Sequence, residues 1–204
     1  MGTGTMVNEA EHRAKMARIK AAKDRLYASK TQEKGLLIVH TGTGKGKSTA
    51  AWGLAMRCLG HGLKLGVVQF VKGRSVPGER RFLERFPELA TIKVMGHGFT
   101  WETQDRAQDI AAAREAFKEA KRMLHDPELH LVILDELNIV LRYDTLPLAE
   151  VLEALAGKRP ELHVVVTGRN AKPELIAAAD LVTEMKLVKH PFRQGIKGQL
   201  GVEF

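Results

Sequence analysis

The apolar run Leu36-Leu37-Ile38-Val39 is followed almost at once by Gly42-Thr43-Gly44-Lys45-Gly46-Lys47-Ser48-Thr49 and then by a helix-like stretch. Strand, glycine-rich loop and helix in this order form the setting of a phosphate-binding P-loop. Glycines let the backbone approach phosphate oxygens, while loop and helix-start N–H groups favour anions. Lys47 adds a point charge, and the Ser48 hydroxyl is a ligand for Mg²⁺. A nucleoside triphosphate such as ATP is the expected occupant. The usual G-x-x-x-x-G-K-[ST] spacing would put glycine at 41, where Thr41 stands, so the loop is one residue tighter. Lys45 gives it a second cation.

From Gly35 onward strand-like and helix-like segments alternate. The patterning predicts strands over 36–40, 64–71, 92–95, 130–135, 163–167 and 181–187, and helices over 47–59, 78–86, 103–124, 146–156 and 173–179. Thr103 is the expected N-cap of the long helix. Leu131-Val132-Ile133-Leu134 and Val164-Val165-Val166 are continuous apolar runs, which predict strands buried on both faces of a mostly parallel sheet covered by helices. The expected fold is therefore α/β, with ligands beyond the carboxyl ends of the strands. Residues 1–34 read as a flexible start and a charged helical arm whose apolar stripe (Met16, Ile19, Ala22, Leu26) is too sparse for a core helix; residues 35–204 read as the catalytic domain. The segment from Gln194 to Phe204 alternates in a way that suggests a closing strand or hairpin.

Asp135-Glu136 ends a buried strand and resembles a Walker B element, a pair of carboxylates able to hold Mg²⁺ directly or through water. In a hydrolase Glu136 would orient water; in a transferase it would serve the metal. Phe99 and Trp101 stand in a glycine-bearing loop, 96–98 being Gly-His-Gly, in a chain with only 5% aromatic residues. They either stack on a flat ligand or fold back into the core. Arg169, after the strand 163–167, either reaches a phosphate or carboxylate or sits solvated in a turn. Cys58 is the only cysteine, so no internal disulfide forms, and its apolar surroundings predict a buried small side chain.

The formal charge of +8 raises nucleic acid as a partner, with anionic small molecules an equal candidate. Half of the excess lies in residues 1–34, and no aromatic-basic interleaving accompanies the rest. No apolar run approaches the ~18 residues of a membrane span, so a cytoplasmic protein with no membrane partner is expected; without that interleaving, no nucleic-acid partner is expected either.

Taken together, the ordered motifs T-G-x-G-K-G-K-[ST]-T-A-A, G-V-V-Q-F-x-K-G, G-F-T-W-x-T-Q, L-D-E-L, T-G-R, V-K-H and G-[VI]-K-x-Q-[LI]-G resemble the P-loop type ATP:cob(I)alamin (corrinoid) adenosyltransferases over residues 30–204. The resemblance implies a RecA-like P-loop fold and transfer of the 5′-deoxyadenosyl group from ATP to cobalt(I), releasing triphosphate, in cobalamin biosynthesis or salvage. It implies ATP bound in reverse along residues 42–49, Lys47 and Glu136 in catalytic roles, and Mg²⁺ held by Ser48, Glu136 and Asp135. It further implies Phe99 and Trp101 against the lower face of the corrin, a flavoprotein reductant and a homodimer. Thr43 departs from the asparagine common in relatives, and Ser48 replaces their usual threonine. The rival reading is a RecA-like ATPase that binds nucleic acid; Gly98-Phe99-Thr100-Trp101 has no place in it.

Overall fold

The computed structural model describes residues 9–71, 76–95 and 105–203. The chain divides into two units, with the boundary after Glu33. The first holds α1 (Glu9–Ala28), in which no residue is buried. The sparse stripe has nothing to bury itself against within this unit, and Met16, Ile19, Leu26 and Tyr27 stay exposed.

The second unit is built on six strands: β1 (Leu37–Thr41), β2 (Leu65–Gln69), β3 (Ala90–Val94), β4 (Leu131–Asp135), β5 (His163–Thr167) and β6 (Leu181–Glu184). Their order is β3-β2-β4-β5-β1-β6, and every pairing is parallel. Helices join them: α2 (Lys47–Gly60), α3 (Gly78–Leu83), α4 (Arg106–His125), α5 (Leu137–Arg142), α6 (Leu148–Ala156) and α7 (Pro173–Ala178).

Successive strand residues face opposite sides, so the sheet feeds two cores. Leu37, Val39, Val132, Leu134, Val164 and Val166 pack with Phe117, Met123 and Leu124 of α4 and with residues of α5, α6 and α7. Ile38, Ile133, Val165 and Val67 pack with Trp52, Ala55 and Cys58 of α2 and Leu83 of α3. Each fully buried aliphatic side chain contributes about 1.5–3 kcal/mol. This two-sided burial is why the central strands read as unbroken apolar runs, and it gives the α/β P-loop architecture expected from the sequence.

The structure departs from two sequence expectations and adds one helix. Asp105, rather than Thr103, caps α4: its Oδ1 accepts from the N–H groups of Ala107 (3.0 Å) and Gln108 (3.1 Å). Thr103 itself lies outside the described residues. The segment 185–203 forms no strand or hairpin. It contains a 3-10 turn at Pro191–Gln194, and left-handed Gly195 (φ 77°) and Gly201 (φ 79°) interrupt any extended run. Helix α5, six residues long, was not anticipated, because Leu137-Asn138-Ile139-Val140-Leu141 carries too few turns for periodicity to register.

Candidate active site

All strands run in the same direction, so their carboxyl ends share one edge, and the predicted polar residues meet there. Gln69 of β2 pairs in register with Asp135 of β4; β5 ends at Thr167 beside β4, and β1 ends at Thr41. The P-loop leaves β1 and enters α2 through Gly42 (φ 99°) and Gly46 (φ 106°), both in the left-handed region. A Cβ on Gly42 would lie 2.4 Å from the Met185 carbonyl oxygen, so both conformation and space demand glycine.

Two contacts set the loop. The buried His40 ring places Nδ1 3.3 Å from the Lys47 carbonyl oxygen, tying the strand end to the first turn of α2; burial holds its pKa below the ordinary value. The buried Lys47 ammonium donates to the Gly44 carbonyl at 2.5 Å. Burial, and then the Arg169 cation, lower the Lys47 pKa, with Glu136 opposing and Lys45 adding to the fall. Ser48 is half-buried in the same turn, while Thr43, Lys45 and Thr49 are exposed.

The two carboxylates differ. Asp135 is buried and occupied: Oδ1 accepts from the Thr167 hydroxyl at 2.7 Å and Oδ2 from Gln69 Nε2 at 3.1 Å. Glu136 follows in a left-handed conformation (φ 61°, ψ 21°) unusual for a side-chain-bearing residue, and its N–H donates to the Thr167 hydroxyl oxygen at 2.9 Å. One hydroxyl thus fixes both acids. Glu136 Oε2 is buried with no hydrogen-bond partner among the described residues. Burial, then the Asp135 charge, push the carboxyl up to about 7, against the pull of Lys47 and Arg169. Lone acceptors of this kind are costly unless a ligand, ion or proton completes them.

Arg169 is exposed on the turn after β5, where Gly168 (φ 125°) lies so close to α5 that a Cβ would meet Asn138 Cβ at 2.8 Å and Glu136 Oε2 at 3.1 Å. The buried Asn138 donates Nδ2 to the Gly168 carbonyl at 3.1 Å. The edge therefore assembles Lys45, Lys47, Ser48, Asp135, Glu136 and Arg169 around the start of α2. Phe99 and Trp101 lie outside the described residues. His40, Gln69, Asn138 and Thr167 were not singled out from sequence. Gln69 and Thr167 did stand inside quoted motifs, G-V-V-Q-F-x-K-G and T-G-R, and Thr167 is also the polar residue closing an apolar strand.

The model of the family ATP:corrinoid adenosyltransferase BtuR/CobO/CobP matches residues 33–204. The chain belongs to this family. Its relatives include the corrinoid adenosyltransferase of a Sinorhizobium species, 53% identical over 199 residues, covering 97% of this chain and 93% of the relative. That of Pseudomonas aeruginosa is 54% identical over 196 residues, covering 96% and 97%. Among solved structures, the flagellar accessory protein FlaH from Methanocaldococcus jannaschii superposes with a TM-score of 0.50 at 10% identity, covering 76% of this chain and 73% of that one. The last likeness concerns the fold alone. As a member of a family of transferases, this adenosyltransferase-family chain carries its P-loop and paired carboxylates inside the matched region.

Proposed function

We propose that the chain transfers the 5′-deoxyadenosyl group of ATP to the cobalt(I) of a corrinoid. Cobalt(I) attacks C5′ with its electron pair, the Co–C bond forms as the C5′–O bond breaks, and triphosphate leaves carrying the bonding electrons. The reading rests on one observation above others: the loop 42–49, with Lys47, converges with Arg169 and with Glu136, whose Oε2 lacks a hydrogen-bond partner among the described residues, at a single sheet edge.

The protein needs no nucleophile of its own. Lys45, Lys47 and the loop N–H groups bind the triphosphate chain and offset charge growing on the leaving oxygen. Holding both reactants in line accounts for about 7–11 kcal/mol of barrier reduction in favourable cases. Catalytic roles thus fall to Lys47, which touches the phosphates, and to Glu136.

The donor set suits Mg²⁺. Glu136 Oε2 is buried without a hydrogen-bond partner among the described residues, and Mg²⁺ takes one or two protein oxygens beside phosphate and water. Ser48 and Glu136 would hold it, with Asp135, already bonded to Thr167 and Gln69, acting through water. When bound, Mg²⁺ neutralises phosphate oxygens.

Phe99 and Trp101 are assigned to the lower face of the corrin, by family likeness. A flavoprotein supplying electrons, a homodimer and a cytoplasmic setting complete the proposal. No helix among the described residues is long and apolar enough to cross a membrane.

Anaerobic incubation with MgATP and chemically reduced cob(I)alamin tests it through the phosphate product. Stoichiometric triphosphate with loss of cob(I)alamin absorbance is expected. Orthophosphate with unchanged corrinoid would contradict it and favour the nucleic-acid-binding ATPase.

A further inference from the structure

The chain beyond β6 returns to the phosphate loop and takes up its anion-binding groups. The Gly44 N–H, one of the loop amides, donates to the Met185 carbonyl at 2.6 Å. A Cβ on Gly44 would lie 2.7 Å from the Lys186 carbonyl oxygen, so the two stretches touch backbone to backbone. Further on, the Glu203 carboxylate forms an ion pair with the Lys45 ammonium. A carbonyl and a carboxylate thus sit on an amide and a cation that a phosphate chain would otherwise engage. Lys47 is likewise turned onto a protein oxygen, the Gly44 carbonyl.

We propose that Glu203 is a positioning residue for the reaction: it holds Lys45 when the loop is empty and competes with triphosphate for that lysine, weakening product retention and easing release. This rests on the function proposed above. Inorganic triphosphate is multiply charged, and a loop with two lysines and a ring of N–H groups holds it tightly. No later chemical step drives it off. A carboxylate that recaptures Lys45 supplies the missing competition. The Lys45 side chain is 47% exposed and that of Glu203 20%, so the pair is within reach of water and breaks at modest cost.

The test is calorimetric titration of the full chain with sodium triphosphate, in wild type, Glu203→Gln, Lys45→Ala and the double variant. Glu203→Gln is expected to bind triphosphate about two- to fivefold more tightly, the range of an exposed pair. It should also show stronger triphosphate inhibition of turnover, while Glu203→Asp, which keeps the charge, stays near wild type. In the Lys45→Ala background the same substitution should change affinity by less than about 1.5-fold, because the partner is gone. Equal affinities in wild type and Glu203→Gln would overturn the inference, as would an undiminished gain without Lys45. The titration needs no corrinoid. A chain that follows this pattern yet leaves cobalt unalkylated would contradict the proposed function and with it the role in product release, leaving only the competition between Glu203 and triphosphate for Lys45.

Discussion

Lys47 and Glu136 show how burial turns ordinary charges into tuned ones. Lys47 has lost water and, among the described residues, gained the Gly44 carbonyl as its hydrogen-bond acceptor, so a triphosphate arriving at the loop meets a poorly solvated cation. Lys47→Ala should therefore lower kcat/KM about 10²–10³-fold, the loss typical of removing one preorganised charge-stabilising donor, with the unfolding midpoint little changed. Initial rates of corrinoid alkylation at several ATP concentrations check this. Glu136 provides the pH dependence. Its folded pKa, about 7, is raised above the ordinary 4.5, so between these values the folded chain holds a proton that the unfolded chain releases. Stability from this group is thus lost as pH rises through that window. In metal- and nucleotide-free buffer, Glu136→Gln should unfold at the wild-type temperature near pH 4.5 and at a higher temperature at about pH 8. A difference independent of pH would refute the assignment.

At the scale of elements, the site depends on turns that admit no side chain. Gly168→Ala places a methyl against Asn138 and Glu136 at a φ of 125°, so it should cost about 1–3 kcal/mol in stability. It should also weaken ATP binding by displacing Glu136, which denaturant unfolding and nucleotide titration together would reveal. Such turns mark the limit of what sequence discloses. The P-loop was legible because three glycines and two lysines at fixed spacing have few other uses, and β4 and β5 because burial on both faces leaves an unbroken apolar signature. Asp135 and Glu136 were legible as a pair, yet their difference was not: it comes from Thr167 and Gln69, which approach only after the strands have paired. Asn138 is an ordinary polar residue until the β5 turn closes over it. The misjudged segment beyond β6 had strand-like alternation, but left-handed Gly195 and Gly201 interrupt it, so it does not extend the sheet at its β6 edge.

For the whole molecule, half of the net positive charge lies in the chain's first stretch, apart in sequence from the residues of the site. Residues 1–34 carry half of the +8 excess, and α1 buries nothing, whereas the matched family region begins at residue 33. Removing residues 1–33 should leave the thermal midpoint of the remaining unit within about 2 °C of the full chain, since no core side chain is lost. A large fall measured by calorimetry would mean that α1 supports the sheet. The central claim, that carbon rather than phosphorus is transferred, is tested most directly by ATP labelled with ¹³C at C5′, mixed anaerobically with cob(I)alamin and followed by ¹³C NMR. The labelled methylene is expected to leave the nucleotide and appear bonded to cobalt, sensitive to light. Label remaining in a nucleotide while orthophosphate accumulates would contradict it.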